Sequence, residues 1–424
     1  MPIRLLPEAI ASRIAAGEVV ERPASVVKEL MENSLDAGST RIDIETRGGG
    51  TKLITIRDNG VGIPSDEVAL AFRRHATSKL ETAEDLEAIA TLGFRGEALS
   101  SIAAVSQTTC LTRHSSETVG TRIRIEGGEV ISLGPIGRPP GTELIIEDLF
   151  YNVPARLKFL RTEQTERRHI DSFVTRYAIA YPQVAFRLIH DGREALQTFG
   201  TGDPREVLTS VYGTDLGTSL LAVDEGLTAD QTIHVGGFVG PTTVHRANRG
   251  YITLFMNGRW IEDLRLTYAI IQAYHTLLPT NRFPVAFVLV KMAPDDVDVN
   301  VHPAKSEVRF RDADTVFRAV QRAVRATVIN EAPMTSSWTP PANTSSTDSV
   351  TRAKLAALQP AQGHLQLQSS ATAQAQPPVR PSTTTALGTN GAVLQSAMTA
   401  SGNGLPPLRI VGQIATMFIV AEGP

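Results

Sequence analysis

The chain has 424 residues, 42% of them hydrophobic, with 41 Lys and Arg against 44 Asp and Glu for a formal net charge of -3. That length accommodates two or three ordinary cores, and so small a charge does not decide on partners, since a local basic face can coexist with an acidic remainder. The single cysteine, Cys110, excludes an intramolecular disulfide and reads as a core thiol of a reducing compartment.

The opening MPIRLLPEAIASRIAAGEVV lacks the apolar core of a signal peptide, and no apolar run approaches membrane-spanning length, so a cytoplasmic protein is expected. Ile10, Ile14 and Val19 give a short helical pattern that has to pack on its neighbours. Pro23 to Gly38 is the strongest helix in the chain: Pro23 opens the first turn, Gly38 closes the last, and Val26, Val27, Leu30, Met31 and Leu35 form an apolar stripe. Glu29 and Asn33, four apart, project together with Asp36 close by. A carboxylate beside a carboxamide can accept a proton from water and offer a hard oxygen to Mg²⁺, although the same pair also suits a plain solvated face.

Arg41 to Thr46 and Leu53 to Arg57 alternate around Gly48-Gly49-Gly50 and read as a hairpin, with Ile54, Ile56 and Asp58 on one face. Asp58-Asn59-Gly60-Val61-Gly62 breaks the second strand, either as a simple turn or as a pocket in which Asp58 accepts from a base amino group while the glycines admit the ring. Residues 63 to 72 have a helical pattern. RRHATSKL then supplies Thr77, Ser78 and Lys79, and after a short acidic helix LGFRGEAL places Gly93 and Gly96 ahead of an alanine-rich helix, which suits a loop whose amides face phosphate oxygens. No G-x-x-x-x-G-K-[ST] is present here, so this is not a P-loop.

Strand patterns fill residues 105 to 146, Gly141-Thr142 opening the last of them, and a long helix follows from about Thr165 to Ala180 with Arg167, Arg168 and Arg176, just beyond Arg161. Gly and Pro cluster near residue 200. From 205 to 330 GGFVG, YITLFMNGRW, DLRLTYAIIQAYHTLL and PVAFVLVKM give a second mixed region closed by a helix from about Ala313 to Ile329, and Asp298, Asn300 and His302 alternate ahead of Pro303-Ala304-Lys305. His302 has no second ligand pattern and reads as structural, whereas Lys305 is either solvated or reaches a phosphate. Residues 333 to 407, rich in Ser, Thr, Ala, Gln and Pro, cannot bury enough surface to order and read as a flexible linker. LRIVGQIATMFIVAEGP then has two strand-like runs, expected to begin a further domain.

IAAGEVVERPASVVKELMENSLDAG, IRDNGVGI, RHATSK, LGFRGEALSSI, LFYNVPARLKFL and DVNVHPAKSEVRF, in that order, closely resemble the MutL family of DNA mismatch-repair ATPases in the GHKL superfamily, from Pro2 to about residue 330. The resemblance implies an α/β fold: a Bergerat-type GHKL ATPase sandwich over 1–200, a ribosomal S5 domain 2-like α/β domain over 201–332, the linker over 333–407 and, from 408, the start of a C-terminal dimerisation domain. It implies ATP and Mg²⁺ as ligands, with Glu29 as the base, Asn33 on Mg²⁺, Asp58 on the adenine amino group supported by Thr142, and Gly60 and Gly62 lining the base pocket. Gly93, Phe94, Arg95 and Gly96 would form a lid, with Thr77, Ser78 and Lys79 around the phosphates and Lys305 reaching the terminal phosphate.

The same resemblance implies an ATP-dependent homodimer closing round DNA, phosphate contacts without sequence specificity from Arg161, Arg167, Arg168, Arg259 and Arg265, and the mismatch-recognition protein MutS and a downstream nuclease or helicase as partners. The alternative is a nicking endonuclease whose metal motif, DQHAxxExxxxE, would lie in a C-terminal domain beyond Pro424. A chaperone, topoisomerase or histidine kinase of the same superfamily would need a phosphoacceptor-helix domain or a cleavage core, and LGFRGEAL and VHPAK favour MutL.

Overall fold

The computed structural model describes residues 16–17, 19–79, 91–93, 96–225, 232–299, 301, 307–330, 409–414 and 418–422. Phe94, Arg95, Asn300, His302, Lys305, the acidic segment before Thr91 and the linker at 333–407 lie outside the described residues.

The first helix, α1 (Pro23–Asp36), starts on Pro23 and is followed by Gly38 at φ 71°, a conformation that costs glycine nothing. It feeds β1 (Arg41–Arg47), a tight Gly48–Gly50 turn and β2 (Leu53–Asp58), paired antiparallel with Ile44 opposite Ile56 and Ile42 opposite Asp58. The expected hairpin is therefore present, and its alternation puts Ile42, Ile44, Ile54 and Ile56 into the core.

After α2 (Ala98–Ala104), the strands β3 (Gln107–Arg113), β4 (Gly120–Glu126), β5 (Glu129–Ile136) and β6 (Gly141–Glu147) follow, then the short α3 (Pro154–Phe159) and the long α4 (Glu163–Ala180), capped by Thr162. With β7 (Ala185–His190) and β8 (Arg193–Gln197) they complete an eight-stranded sheet of order β5-β4-β3-β6-β2-β1-β7-β8, antiparallel except where β1 runs parallel to β7. One face of the sheet is covered by α1 and α4, whose Val27, Leu30, Ile170 and Val174 share a core with Ile44, Ile54, Ile146 and Phe186. Each such side chain withdrawn from water contributes about 1.5–3 kcal/mol. The other face carries charges such as Arg57, whose Nη2 donates to Glu143 Oε1 at 2.5 Å.

Residues 63–72, expected to be helical, form turns ending in a single 3₁₀ turn at Leu70–Phe72. Val68 is the only side chain of the ten that is fully buried, Ile63 and Phe72 are partly buried against the same core and Leu70 is exposed, so the segment lacks the continuous buried stripe of an amphipathic helix.

Beyond α5 (Pro204–Tyr212) and α6 (Thr214–Ser219), a five-stranded sheet is built from β9 (Leu221–Glu225), β10 (Ile233–Val239), β11 (Ile252–Met256), β12 (Arg259–Ile261) and β13 (Ala286–Met292), in the order β12-β11-β13-β10-β9. The helices α7 (Leu264–Ala273) and α8 (Ala313–Asn330) cover one face, where Leu254, Val288, Ile270 and Val320 meet. The opposite face presents Phe255, Trp260 and Phe287, which alternate with those residues along the strands and join the first core. Phe173 of α4 meets Trp260 edge-on with ring centroids 5.2 Å apart, and Tyr177 meets Phe255 the same way at 5.6 Å.

Met1–Pro340 forms one compact unit and Pro341–Pro424 another. In the second unit Arg409–Ile414 pairs antiparallel with Phe418–Glu422, the two strand-like runs expected there. Among the described residues no helix is long and apolar enough to cross a membrane.

Candidate active site

Two turns of α1 carry the chemistry. Glu29 is 9% exposed, with Oε1 3.6 Å from Lys28 Nζ, and Lys28 also lies 3.1 Å from Oε1 of the fully buried Glu32. The Tyr177 hydroxyl, reaching in from α4, donates to the same Glu32 oxygen. Burial works against the Lys28 ammonium, but the charges of Glu32 and Glu29 and the hydrogen bond to Glu32 outweigh it and leave its pKa raised. Burial, reinforced by Glu32, likewise raises the Tyr177 phenol. The result is a closed charge group directly behind Glu29.

One turn on, Asn33 Oδ1 accepts from Lys79 Nζ at 3.0 Å, and Asp36 Oδ2 accepts from the same ammonium at 2.6 Å. Asp36 also accepts from the backbone N–H groups of Leu92 and Gly93, both at 2.9 Å, so one carboxylate gathers the loop end at Lys79 and the stretch leading into the glycine-rich segment. A Cβ on Gly93 would stand 2.7 Å from Lys79 Nζ and 3.1 Å from Asn33 Oδ1, so a side chain there would displace the Lys79 ammonium. Asn33 Oδ1 thus faces a cation already, and Asp36, which shares that cation, supplies further hard oxygens. That donor set fits Mg²⁺.

Asp58 ends β2 beside the same helix. Its Oδ2 accepts from Ser34 Oγ of α1 at 2.9 Å, and its Oδ1 from the backbone N–H groups of Gly60 at 2.9 Å and Thr142 at 3.2 Å. Burial raises the Asp58 pKa, and these three donors pull the other way. Thr142 Oγ1 lies 3.0 Å from Thr112 Oγ1, which in turn accepts from the Ile63 N–H at 2.9 Å. Gly60 and Gly62 sit against this group. Gly62 has φ 77°, and a Cβ there would overlap the Arg113 carbonyl; a Cβ on Gly60 would be 2.8 Å from the Ala37 carbonyl.

The structure therefore brings Asn33, Lys79 and Gly93 together, and Asp58 with Gly60 and Thr142, both groups hanging on α1 through Asn33, Asp36 and Ser34. Thr77 and Ser78 are exposed beside Lys79, Thr77 Oγ1 accepting from the Lys79 N–H at 3.1 Å. Gly96, at φ 63°, leaves no room for a side chain against the Ala76 carbonyl.

The arginines separate. Arg161 and Arg168 are exposed. Arg167 is half-buried and pairs with Asp191 and Glu163, and Arg265 pairs with Asp314. Arg259 corrects the expected DNA-facing set: it is 3% exposed, and its Nη2 donates to the Thr91 carbonyl at 2.8 Å, because it lies on the face of β12 opposite Trp260, beside its strand partner Met256, where Thr91 meets it. Sequence reading missed Lys28, Ser34, Thr112 and Tyr177. Lys28 and Glu32 at i,i+4 were a visible signal for an ion pair, though not for a buried one.

The family description "Histidine kinase-, DNA gyrase B-, and HSP90-like ATPase" matches residues 21–129, and "DNA mismatch repair protein, C-terminal domain" matches residues 208–328. A DNA mismatch repair protein MutL of Halothermothrix orenii is 47% identical over 322 residues, which are 76% of this chain and 50% of that protein. The chain spans about half the length of the curated relatives it matches. Among solved structures, the Aquifex aeolicus MutL ATPase domain complexed with ADP is 30% identical with a TM-score of 0.50, covering 65% of this chain and 94% of that one. The N-terminal domain of a DNA repair protein is 25% identical with a TM-score of 0.65, covering 76% and 98%.

Proposed function

The chain belongs to the MutL family of DNA mismatch-repair proteins and carries its GHKL-type ATPase domain, and from that premise we propose that it binds and hydrolyses ATP in the cleft along α1. The observation that carries this reading is the Ser34 to Asp58 contact, which ties a desolvated carboxylate suited to a base amino group to the helix bearing Glu29 and Asn33. Asp58 receives the adenine amino group, with Thr142 holding the carboxylate in place and Gly60 and Gly62 leaving space for the ring. Glu29 takes the proton of the attacking water. Its position is fixed from behind by Lys28, Glu32 and Tyr177, so little reorganisation accompanies proton transfer.

Asn33 holds Mg²⁺, which when bound neutralises charge on the phosphate oxygens. Lys79, Thr77 and Ser78 turn to the phosphates, and Gly93, Phe94, Arg95 and Gly96 close over them as a lid, with Lys305 completing the contacts to the terminal phosphate. Because Lys79 now rests on Asn33 and on Asp36, the carboxylate that also accepts from the amides of Leu92 and Gly93, its transfer to phosphate changes the charge on the group that holds that stretch. Nucleotide occupancy and lid position are then one equilibrium.

In this reading the ATPase domain runs to about residue 200 and the S5-like domain to about 332, with a linker to about 407. ATP-driven pairing of two chains forms a clamp on DNA that couples MutS to a downstream nuclease or helicase in the cytoplasm, at the nucleoid. Arg161 and Arg168 are the arginines best exposed for phosphate contact. The deciding experiment measures phosphate release at saturating Mg-ATP for the protein and for Glu29→Ala, with ADP retention as the control. Retained nucleotide with lost turnover supports Glu29 as base; equal turnover removes it from that role.

A further inference from the structure

Thr91, Leu92 and Gly93 form the base of the lid, and they are gripped from two sides. The amides of Leu92 and Gly93 go to Asp36 of α1, while the Thr91 carbonyl accepts from Arg259 of β12, a strand of the second sheet. Arg259 is delivered there rigidly. It follows an Asn257-Gly258 hairpin turn in which both residues have positive φ, 49° and 82°, the conformation such a two-residue turn requires. Asn257 in turn exchanges hydrogen bonds with β13, its Nδ2 donating to the Met292 carbonyl and its Oδ1 accepting from the Met292 N–H, both at 3.0 Å. The preceding carbonyl, of Gly258, accepts from the Tyr181 hydroxyl at 2.9 Å.

The guanidinium also sits in the electrostatic neighbourhood of the catalytic helix. Burial raises the Tyr181 phenol, the charges of Asp36 and Glu32 add to that shift and Arg259 opposes it, so Tyr181 lies within reach of both the α1 carboxylates and the guanidinium. Lys28, the partner of Glu29, feels Arg259 as well, behind the larger effects of burial, Glu32 and Glu29.

We propose that Arg259 is a positioning residue that couples the nucleotide site to the second sheet, its guanidinium relaying the state of the lid base to β11 and β12. The inference rests on the nucleotide reading above. When Lys79 leaves Asp36 and the lid base shifts, the Thr91 carbonyl moves relative to a guanidinium that β12 cannot easily follow. The second sheet has to respond, or the contact is lost. Arg is suited to this work because its planar fork keeps one N–H on the carbonyl while its charge faces the α1 group; a lysine retains the charge and loses the fork.

The test is amide hydrogen exchange of the full chain with and without the Mg²⁺ complex of the β,γ-imido analogue of ATP, followed in segments 91–93 and 256–261, with analogue affinity measured in parallel. In the unsubstituted protein both segments are expected to change together, by about five-fold or more in exchange rate. In Arg259→Lys the analogue still binds and still alters 91–93, while the change at 256–261 falls away.

An analogue that alters 91–93 and leaves 256–261 unmoved in the unsubstituted protein overturns the coupling, and this arm stands even if Arg259→Lys does not fold. Equal changes at 256–261 in Arg259→Lys also overturn it. A protein that holds no analogue at all overturns the nucleotide reading and the coupling with it, so the two failures are distinguished by the binding measurement.

Discussion

Asp58→Asn tests the base pocket directly. The carboxylate offers Oδ1 to two backbone N–H groups and Oδ2 to the Ser34 hydroxyl, and its remaining lone pair on Oδ2 is the one available to an incoming amino group. In the variant the backbone donors keep the carboxamide oxygen on their side. The amide nitrogen then takes the Oδ2 place, where Ser34 can still accept from it but an adenine amino group meets another donor. A hydrogen bond to a charged acceptor is worth about 1.5–3 kcal/mol, so affinity for ADP is expected to fall roughly 10- to 150-fold. Fold stability should change much less, since all three internal contacts survive.

The assay is equilibrium binding of ADP and of inosine diphosphate, which carries a carbonyl where adenine carries its amino group. The unsubstituted protein is expected to prefer ADP, and Asp58→Asn to lose or invert that preference. An equal loss of affinity for both nucleotides would falsify the amino-group contact and assign Asp58 a purely structural role at the β2 end.

Burial raises the Asp58 pKa, so in the free protein its stabilising effect is full below the ordinary aspartate value of 3.8 and is lost as pH rises through the folded-state value. Thermal unfolding of Asp58→Asn should therefore gain on the unsubstituted protein as pH is raised across that window, and parallel pH profiles would speak against it. Tyr177→Phe leaves the buried Glu32 short of one donor and is expected to lower stability by about 1–3 kcal/mol in denaturant titration; an unchanged midpoint would mean the contact contributes nothing net. Gly62→Ala forces a side chain at φ 77° against the Arg113 carbonyl, a conformational cost of about 1–2 kcal/mol before any clash, and nucleotide binding should suffer more than folding. Cys110, fully buried with its thiol pushed up to about 12, should react with a thiol reagent only at the rate of unfolding, and fast labelling of the native protein would contradict that.

What could be read from the chain is what its local pattern determines. Pro23 and Gly38 bracket α1, the alternation on either side of Gly48–Gly50 makes a hairpin, and Asp58 falls at the end of its buried row because strand periodicity leaves no choice. The cofacial placement of Glu29, Asn33 and Asp36 follows from helix geometry alone. Residues 63–72 show where local pattern stops being enough, since their apolar residues have a helical period but only Val68 is fully buried, with Ile63 and Phe72 packed partly buried against the same core.

The rest depends on partners far away in the chain. Lys28 and Glu32 resemble a surface pair in sequence, yet Tyr177 closes over them from a helix 145 residues downstream and makes the pair internal. Arg259 was the larger misreading. A basic residue after an Asn-Gly turn resembles a solvated hairpin tip, yet Arg259 is buried with its guanidinium on the carbonyl of Thr91, 168 residues away in the chain, a contact that neither segment announces by itself. Burial also changes the chemistry such a residue can perform. A solvated arginine near DNA contributes a screened charge, whereas one held at 3% exposure on a carbonyl of the lid base has lost its water and acts through geometry. Glu29, Asn33 and Asp58 are therefore legible in sequence because they lie on one helix and one hairpin, while the residue that would couple that helix to the second sheet becomes visible only once both sheets are in place.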